Sequence, residues 1–388
     1  MDIRSQYHCL PPPASRVRWF SLLFVRFFRR YRPLLVSCAM LLTAGCIGWA
    51  APPSSDQTEA GPATERPTTR NCVGSYHAER LTGDFAGYAG LHQFIDHMVR
   101  THGFEAEYLQ GLFSQARRMT KTLNYLAKSD QALQGPPAAG GWSRYRSKFL
   151  NDRHIDAGVE FARHHQDALR RASRQFGVPE EIILGILAVE TKFGRHIGKD
   201  RVLDALTTLG FDYERRGDYF RGELENFLLM ARSEGMDPAK PVGSYAGAMG
   251  LGQFMPTSFL RWAVDFNGDG HRDLWDAEDA IGSIANYFAQ HGWLKGHPVI
   301  TPLKVNGPVN LQPGLTPQYT MAALQQAGLQ PVRPCYSGGP LRLLLLRHTG
   351  FDQYLIGHPN FYTLTRYNNS TYYAMAVYEL SLAIKWRR

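Results

Sequence analysis

The segment IILGILAVETKFG, residues 182–194, places a single carboxylate, Glu190, in a long apolar run. At helical spacing, four apolar residues share the face of this carboxylate: Ile183, Ile186, Leu187 and Phe193. Desolvation raises the pKa of a carboxylic acid and keeps its proton available near neutral pH. Glu190 is therefore the leading candidate for a catalytic acid. The alternatives are a partly exposed helix residue or half of a structural ion pair.

Breaks in the sequence bracket the predicted helix. Pro179 stands near its first turn, where a missing N–H costs nothing. Gly194 supplies a C-terminal stop, so we expect the helix to end there.

The chain has 388 residues, enough for two or three lobes at roughly 100 to 200 residues per domain. Its formal charge of +9 is concentrated at the N-terminus, where residues 1–45 hold seven arginines and only one acid, Asp2. The remainder carries +3, which argues little for a nucleic-acid partner.

Residues 1–45 have the pattern of an export signal: a basic stretch and then an apolar run that is short for a membrane span. The run ends in LTAGC, residues 42–46, which resembles a bacterial lipobox. That resemblance predicts a lipoprotein signal peptide over 1–45 and a lipid on Cys46, which would anchor the protein to a membrane. Ile47 after the cysteine favours the periplasmic face of the outer membrane. An ordinary signal peptide, an uncleaved anchor and a different start codon stay open.

Two cysteines remain beyond the leader, Cys72 and Cys335. An oxidising compartment would permit a disulfide between them, and the sequence leaves that pairing open. Neither the cysteines nor the histidines show metal-ligand spacing.

Composition and periodicity predict a mainly α chain of the α+β class. A segment rich in Pro, Ser and Thr precedes helical patterns, and strand patterns appear late in the chain. The predicted divisions are a disordered spacer at 46–78, a helical lobe at 79–172, a motif-rich core at 173–295, a small β-containing domain at 296–358 and a C-terminal helix at 359–388.

The loop GSYAGAMGLGQFMP, residues 243–256, packs glycines around Ser244 and Gln253. Glycines let a backbone approach a ligand closely, but the loop lacks the lysine of a phosphate-binding loop. Ser244 and Gln253 can donate and accept hydrogen bonds, as an acetamido sugar requires. A tight helix-to-helix connection would explain the glycines but not the glutamine.

The segment DFNGDGHRDLWD, residues 265–276, follows a calcium-loop pattern with Asp265, Asn267 and Asp269 at alternate positions. Asp276 stands where a longer glutamate is usual, and Asp279, one turn later, could replace it. The alternative is a turn without metal.

Aromatic residues bunch at 142–146, around Tyr287 and at 362–373. Such rings stack on sugars, although core packing explains many of them.

Together these motifs resemble the membrane-bound lytic murein transglycosylase B family. The resemblance extends from about Trp142 to the C-terminus, and its main segments are GVPEEIILGILAVETKFGR (177–195), LDALTTLGFDYERRGDYFRGELENFLLMAR (203–232), GSYAGAMGLGQFMPTS (243–258), VDFNGDGHRDLWDAEDAIGSIANYFAQHGW (264–293) and NFYTLTRYNNSTYYAMAVYEL (360–380). It implies a lysozyme-like catalytic core, a helical lobe, a small β domain and calcium in an EF-hand-like loop.

The resemblance also implies roles for individual residues. Glu190 would be the sole catalytic acid and base. The implied sugar contacts are Ser244, Gln253, Arg215, Arg216, Tyr287, Tyr367, Asn368, Tyr373 and Tyr145. The implied calcium ligands are Asp265, Asn267, Asp269, the backbone carbonyl of His271, and Asp279.

The implied reaction is non-hydrolytic cleavage of peptidoglycan between N-acetylmuramic acid and N-acetylglucosamine, with a 1,6-anhydro product. The expected partners are glycan strands, a membrane through the lipid anchor, and other cell-wall enzymes. Two alternatives remain: a muramidase, which would use water and a second carboxylate, and a non-catalytic wall-binding lipoprotein.

Overall fold

The computed structural model describes residues 70–132, 138–333 and 339–388. The predicted signal peptide, Cys46 and Cys335 lie outside the described residues. Residues 70–78, predicted as the end of the spacer, pack on the folded body instead. Cys72 is buried there with its thiol free, and the Tyr76 hydroxyl donates a 2.5 Å hydrogen bond to Asp237. The predicted end of the spacer at residue 78 was therefore too late. The polar composition of this segment gave no sign that Cys72 and Tyr76 pack on the folded body.

Six helices form the first part of the described chain. Asn151 caps the fifth by accepting the backbone N–H of His154, and Gly177 ends the sixth in the left-handed conformation, with φ of 73°. Their bounds are α1 Ala89–His102, α2 Ala106–Phe113, α3 Thr120–Ala132, α4 Gly141–Arg146, α5 Asp152–His164 and α6 Gln166–Phe176.

The central helix carries the apolar segment that includes Glu190. It is α7, Glu180–Thr191, and its residues 182–188 are buried. The elements that follow are β1 Asp200–Arg201, α8 Val202–Asp212, α9 Gly217–Ser233, β2 Val242–Gly243, α10 Pro256–Trp262 and α11 Ala277–Gln290. β1 and β2 form a short antiparallel pair.

A four-stranded antiparallel sheet then forms in the order β4-β3-β6-β5. Its strands are β3 Ile300–Val305, β4 Leu329–Pro331, β5 Arg342–Arg347 and β6 Asp352–Gly357, with α12 at Met321–Gln326. Leu303, Leu324 and Leu343 belong to a small apolar core of its own. The fold class, mainly α with a small β region, is confirmed.

The chain closes with two helices, α13 Pro359–Tyr367 and α14 Thr371–Arg387. Ser370 caps α14 by accepting the backbone N–H of Tyr373. The last helix packs against α7 at Gly185, where an added Cβ would lie 2.6 Å from the carbonyl oxygen of Val377. The C-terminal helix thereby reaches the segment of Glu190. Within the part of the chain that the structure describes, no helix combines the length and apolarity that a membrane span needs.

Candidate active site

Helix α7 ends earlier than predicted, at Thr191 rather than at Gly194. Lys192 and Phe193 both take positive φ, at 52° and 60°. The Thr191 hydroxyl donates to the carbonyl of Leu251 and accepts the backbone N–H of Gly194. The N–H of Gly194 is therefore satisfied by a side chain, and the helix does not continue to this residue. Phe193 therefore does not share the helical face of Glu190, whereas Ile183, Ile186 and Leu187 are fully buried along α7.

The carboxyl group of Glu190 lies against the C-terminal helix. The hydroxyl of Tyr373, a residue only 3% exposed, donates a 2.5 Å hydrogen bond to its Oε1. Burial raises the pKa of Glu190 from 4.5 to about 7, and the Tyr373 hydrogen bond opposes that rise. A group with this pKa holds a proton near neutral pH and can also release it.

Three tyrosines lie close enough to Glu190 for its charge to change their pKa values. Burial and then the Glu190 charge raise the pKa of Tyr145, Tyr367 and Tyr373, for the last two well above the usual value. These residues come from α4 and from the consecutive helices α13 and α14, so two distant segments of sequence meet around one acid. Their hydroxyls stay protonated at neutral pH and can act as hydrogen-bond donors.

The glycine loop closes one side of this site. Gln253 has φ of 52° and donates from Nε2 to the carbonyls of Ile197 and Gly250. Ser244 accepts the backbone N–H groups of Ala246 and Ala248 at its hydroxyl. Tyr367 donates to the carbonyl of Gly252 at 2.6 Å, which joins the loop to the tyrosine cluster. Both predicted sugar contacts are thus held by the loop itself.

Tyr287 stands behind Tyr367. Their ring centroids lie 4.8 Å apart, and the Tyr287 hydroxyl donates to the carbonyl of Arg366 at 2.6 Å. Since Tyr287 is only 7% exposed, the structure gives it a packing role, and its sugar contact stays a prediction.

The remaining predicted sugar contacts are exposed. Arg215 and Arg216 lie in the turn before α9, where the Arg216 guanidinium sits 4.3 Å from the ring centre of Tyr219. Asn368 follows α13. The structure leaves these side chains exposed, and their contact with the sugar stays a prediction.

The predicted calcium loop curls as its spacing requires. Asp265 accepts the backbone N–H groups of Gly268 and Gly270, and Asp269 accepts that of His271. Asn267 accepts the N–H of Asp269. Asp276 is occupied elsewhere, because it caps α11 by accepting the N–H groups of Glu278 and Asp279.

Asp279 is fully buried, and its carboxylate accepts backbone N–H groups from the loop at both oxygens. Burial raises its pKa, and among the described residues it forms no ion pair. A buried carboxylate beside an acidic loop with no basic partner fits a bound hard cation. The donor set is entirely oxygen, as calcium prefers.

Several polar groups escaped the sequence prediction. Glu223 is buried and accepts the backbone N–H of Thr257 at 2.8 Å. His97 and His102 both face Glu225, at 3.3 and 2.7 Å, although the histidines showed no ligand spacing. Glu225 lies on α9, so only the packing of α1 on α9 could reveal this cluster.

Comparisons with known proteins show which proteins this chain resembles. Residues 86–382 match the family model described as the transglycosylase SLT domain. The chain is 46% identical over 367 residues to membrane-bound lytic murein transglycosylase B of Escherichia coli strain K12, and the match covers 93% of this chain and 99% of that protein.

Two solved structures are similar. The Escherichia coli lytic transglycosylase SLT35 in complex with calcium is 50% identical, with a TM-score of 0.75, covering 80% of this chain and 96% of that one. SltB3 from Pseudomonas aeruginosa in complex with NAG-anhNAM-pentapeptide is 27% identical, with a TM-score of 0.64, covering 75% of this chain and 78% of that one.

Proposed function

Because this chain belongs to the family of lytic murein transglycosylases that carry the transglycosylase SLT domain, we propose that Glu190 is its single catalytic acid and base. The enzyme cleaves the β-1,4 bond between N-acetylmuramic acid and N-acetylglucosamine and leaves 1,6-anhydro-N-acetylmuramic acid ends. The observation that carries the assignment is the half-buried Glu190, whose pKa is raised to about 7 by desolvation and whose Oε1 accepts a hydrogen bond from Tyr373.

Glu190 acts twice in the proposed reaction. It first donates its proton to the glycosidic oxygen as the bond to the anomeric carbon of N-acetylmuramic acid breaks. The acetamido group of that sugar stabilises the cationic carbon. The anionic carboxylate of Glu190 then takes the proton of the muramoyl C6 hydroxyl, whose oxygen bonds to the anomeric carbon. The acid is regenerated and no water enters the product.

The Tyr373 hydroxyl has a role in both steps. Its hydrogen bond stabilises the carboxylate that exists between them, after the proton has left Glu190. Tyr145 and Tyr367 add an aromatic wall on which a pyranose ring can lie. Ser244, Gln253, Arg215, Arg216, Tyr287 and Asn368 complete the proposed set of glycan contacts.

A hydrolytic muramidase would need a second carboxylate to position water. Burial and the Tyr373 hydrogen bond account for the pKa of Glu190, and no other described carboxylate contributes to it. Glu223 is buried, but its carboxylate is engaged by the backbone of Thr257. These surroundings favour the reaction that uses only one acid.

Calcium is proposed as a structural ion of the loop. Its ligands would be Asp265, Asn267, Asp269, the carbonyl of His271, and Asp279. The ion would supply charge that compensates the buried carboxylate and would fix the loop before α11. Support comes from the oxygen donor set described above and from the calcium in the similar SLT35 structure.

We also propose that the enzyme works from a membrane. The relative from Escherichia coli is described as membrane-bound, and the lipobox-like end of the leader provides Cys46 as the site of the lipid. The anchor would hold the enzyme at the periplasmic face of the outer membrane, close to the glycan strands and to other cell-wall enzymes.

Digestion of purified peptidoglycan tests the central assignment. The full-length protein should release muropeptides with anhydro ends, one water lighter than hydrolytic products, and Glu190→Gln should release none while still binding the polymer. Glu181→Gln is the matched control, since Glu181 lies on α7 but pairs with Lys385 near the surface. Reducing ends would establish a muramidase. Unchanged lysis by Glu190→Gln would remove Glu190 from the chemistry, and binding without products from wild type would leave a wall-binding lipoprotein.

A further inference from the structure

A cavity of about 340 Å³ opens beside the C-terminal end of α7. Four cationic side chains and two histidines line it: Lys148, Arg153, Lys192, Arg195, His154 and His196. No carboxylate lines this cavity. The residues come from the ends of α4 and α7 and the start of α5, so the fold gathers positive charge from three segments.

The cations of this cavity have no anionic partner in the part of the chain that the structure describes. Among the described residues, Lys148, Arg153, Lys192 and Arg195 form no ion pair. The two nearest acids on α5, Asp152 and Asp156, bind Arg387 instead, at 2.7 and 2.6 Å. Uncompensated like charges repel one another, so a cavity of this composition favours an anionic ligand.

The buried His154, which lines the cavity, is affected by the same positive charges. His154 is 7% exposed, and its pKa is lowered by burial first and then by the charges of Lys192, Arg153 and Arg195. Its side chain stays close to Asn151 Nδ2, at 2.8 Å. The lowered pKa of His154 therefore agrees with a positive electrostatic potential in the cavity.

The cavity adjoins the candidate active site at three points. Lys192 is two residues from Glu190, which keeps their Cα atoms within about 7.6 Å. The ammonium of Lys148 lies 5.7 Å from the ring centre of Tyr145, one of the tyrosines around Glu190. The loop that carries Arg195 and His196 continues to Ile197, whose carbonyl accepts a hydrogen bond from Gln253.

The substrate determines which anion can reach this place. The sugar rings of a peptidoglycan strand are neutral, and its peptides, attached to the lactyl group of N-acetylmuramic acid, carry free carboxylates. The bond that Glu190 cleaves belongs to N-acetylmuramic acid, so a peptide starts next to the catalytic carboxyl. Each extended peptide residue spans roughly 3.3–3.6 Å, so two or three residues span a length equal to the separation of the Glu190 and Lys192 Cα atoms.

We propose that the cationic cavity bounded by Lys148, Arg153, Lys192 and Arg195 binds carboxylates of the peptide attached to the N-acetylmuramic acid at the cleaved bond. The enzyme then selects peptide-bearing glycan over bare glycan. This inference rests on the proposed function, because it takes the position of the sugar from the role of Glu190.

The test compares substrates with and without the peptide. The double variant Arg153→Gln/Arg195→Gln removes two exposed cations of the cavity. The control Arg170→Gln/Arg174→Gln removes two exposed cations from α6 and changes the net charge equally. For each full-length protein, kcat/KM is measured on peptidoglycan and on glycan strands stripped of peptide by an amidase. Kd for soluble NAG-NAM oligomers with peptide, without peptide and with amidated peptide carboxylates is measured in the Glu190→Gln background.

The cavity variant should lose about fivefold to tenfold in affinity and kcat/KM for the peptide-bearing ligand, as expected for two partly exposed charge contacts. It should match wild type on the bare and amidated ligands, and the control should match wild type on all of them. Equal losses on all ligands, or no loss on the peptide-bearing one, would overturn the proposal. Because the Kd comparison needs no turnover, it remains decisive even if wild type fails to produce anhydro ends, which would count against the proposed function alone.

Discussion

Tyr373 donates a 2.5 Å hydrogen bond to Oε1 of Glu190 across the contact between α14 and α7. The two residues stand 183 positions apart in the chain. Burial raises the pKa of Glu190 and the Tyr373 hydroxyl lowers it, so the pKa of about 7 is a balance of the two. One tyrosine therefore adjusts the acid strength of the group that we assign to both proton transfers.

Replacing Tyr373 by phenylalanine should raise the pKa of Glu190, because the hydrogen bond that favours the anion is removed. We expect kcat to fall by about 10-fold to 100-fold, the range for a hydrogen bond to a charged group. The alkaline limb of the pH–rate profile should also move to higher pH.

Tyr372→Phe is the matched control for that change. The Tyr372 hydroxyl is buried and has no hydrogen-bond partner among the described residues, although it neighbours Tyr373 in sequence. Its loss should leave kcat and the pH profile unchanged. If both variants behaved alike, a specific role for the Tyr373 hydroxyl would be excluded.

The activity of wild type should decline as the pH rises through about 7, because Glu190 must be protonated to donate to the glycosidic oxygen. The alkaline limb of kcat/KM reports this group in the free enzyme and can be measured with a soluble glycan substrate. A flat profile between pH 5 and 9 would contradict the assignment of Glu190 as the acid.

The same pKa predicts how stability depends on pH. Glu190 binds its proton more tightly in the folded state than in the unfolded chain, where its pKa is near 4.5. Its favourable contribution is therefore complete below pH 4.5 and is lost as the pH rises to about 7. Relative to wild type, Glu190→Gln should gain on the order of 2 kcal/mol in unfolding free energy between pH 4.5 and 8. Urea titrations at several pH values measure this gain, and a constant difference would contradict it.

Local patterns in the sequence predicted the acid and its helix. The apolar spacing around Glu190 and the alternating oxygens of the calcium loop are properties of short segments. The helix and the curled loop form where they were expected, except that Phe193 leaves the helical face of Glu190. The predicted end of α7 was wrong because the Thr191 hydroxyl donates a hydrogen bond to the carbonyl of Leu251, 60 residues away. No local sequence pattern contains such a contact.

The periodicity of the sequence could not predict contacts between distant segments. The family resemblance implied only a sugar contact for Tyr373, and its hydrogen bond to Glu190 depends on the packing of α14 on α7 at Gly185, which no local pattern contains. The cationic cavity was missed for the same reason. Lys148 and Lys192 resemble ordinary surface lysines until α4, α5 and α7 bring them together.

Asp269→Asn tests the calcium loop. Asparagine can still accept the backbone N–H of His271 at Oδ1, so the metal-free fold should keep its stability. Losing one anionic ligand should weaken calcium binding, and wild type at 100 times its Kd should gain about 2.7 kcal/mol that the variant lacks. Thermal unfolding in chelator and in calcium measures both states. Asp167→Asn, the same change on α6, should keep the full calcium response, and equal responses in both variants would exclude Asp269 as a ligand.

Gly185→Ala should disturb the helix contact that positions Glu190. The added Cβ would lie 2.6 Å from the carbonyl oxygen of Val377, so α14 must shift, and we expect a loss of about 1–3 kcal/mol in unfolding free energy. Activity should fall with it, because the shift moves Tyr373. Gly222→Ala on α9 is the matched control: its Cβ meets nothing within 4 Å, so higher helix propensity should stabilise the fold by about 0.5–1 kcal/mol. Urea unfolding and kcat are measured on the same preparation of each variant. Full activity in Gly185→Ala would show that the contact between Glu190 and Tyr373 tolerates movement of α14.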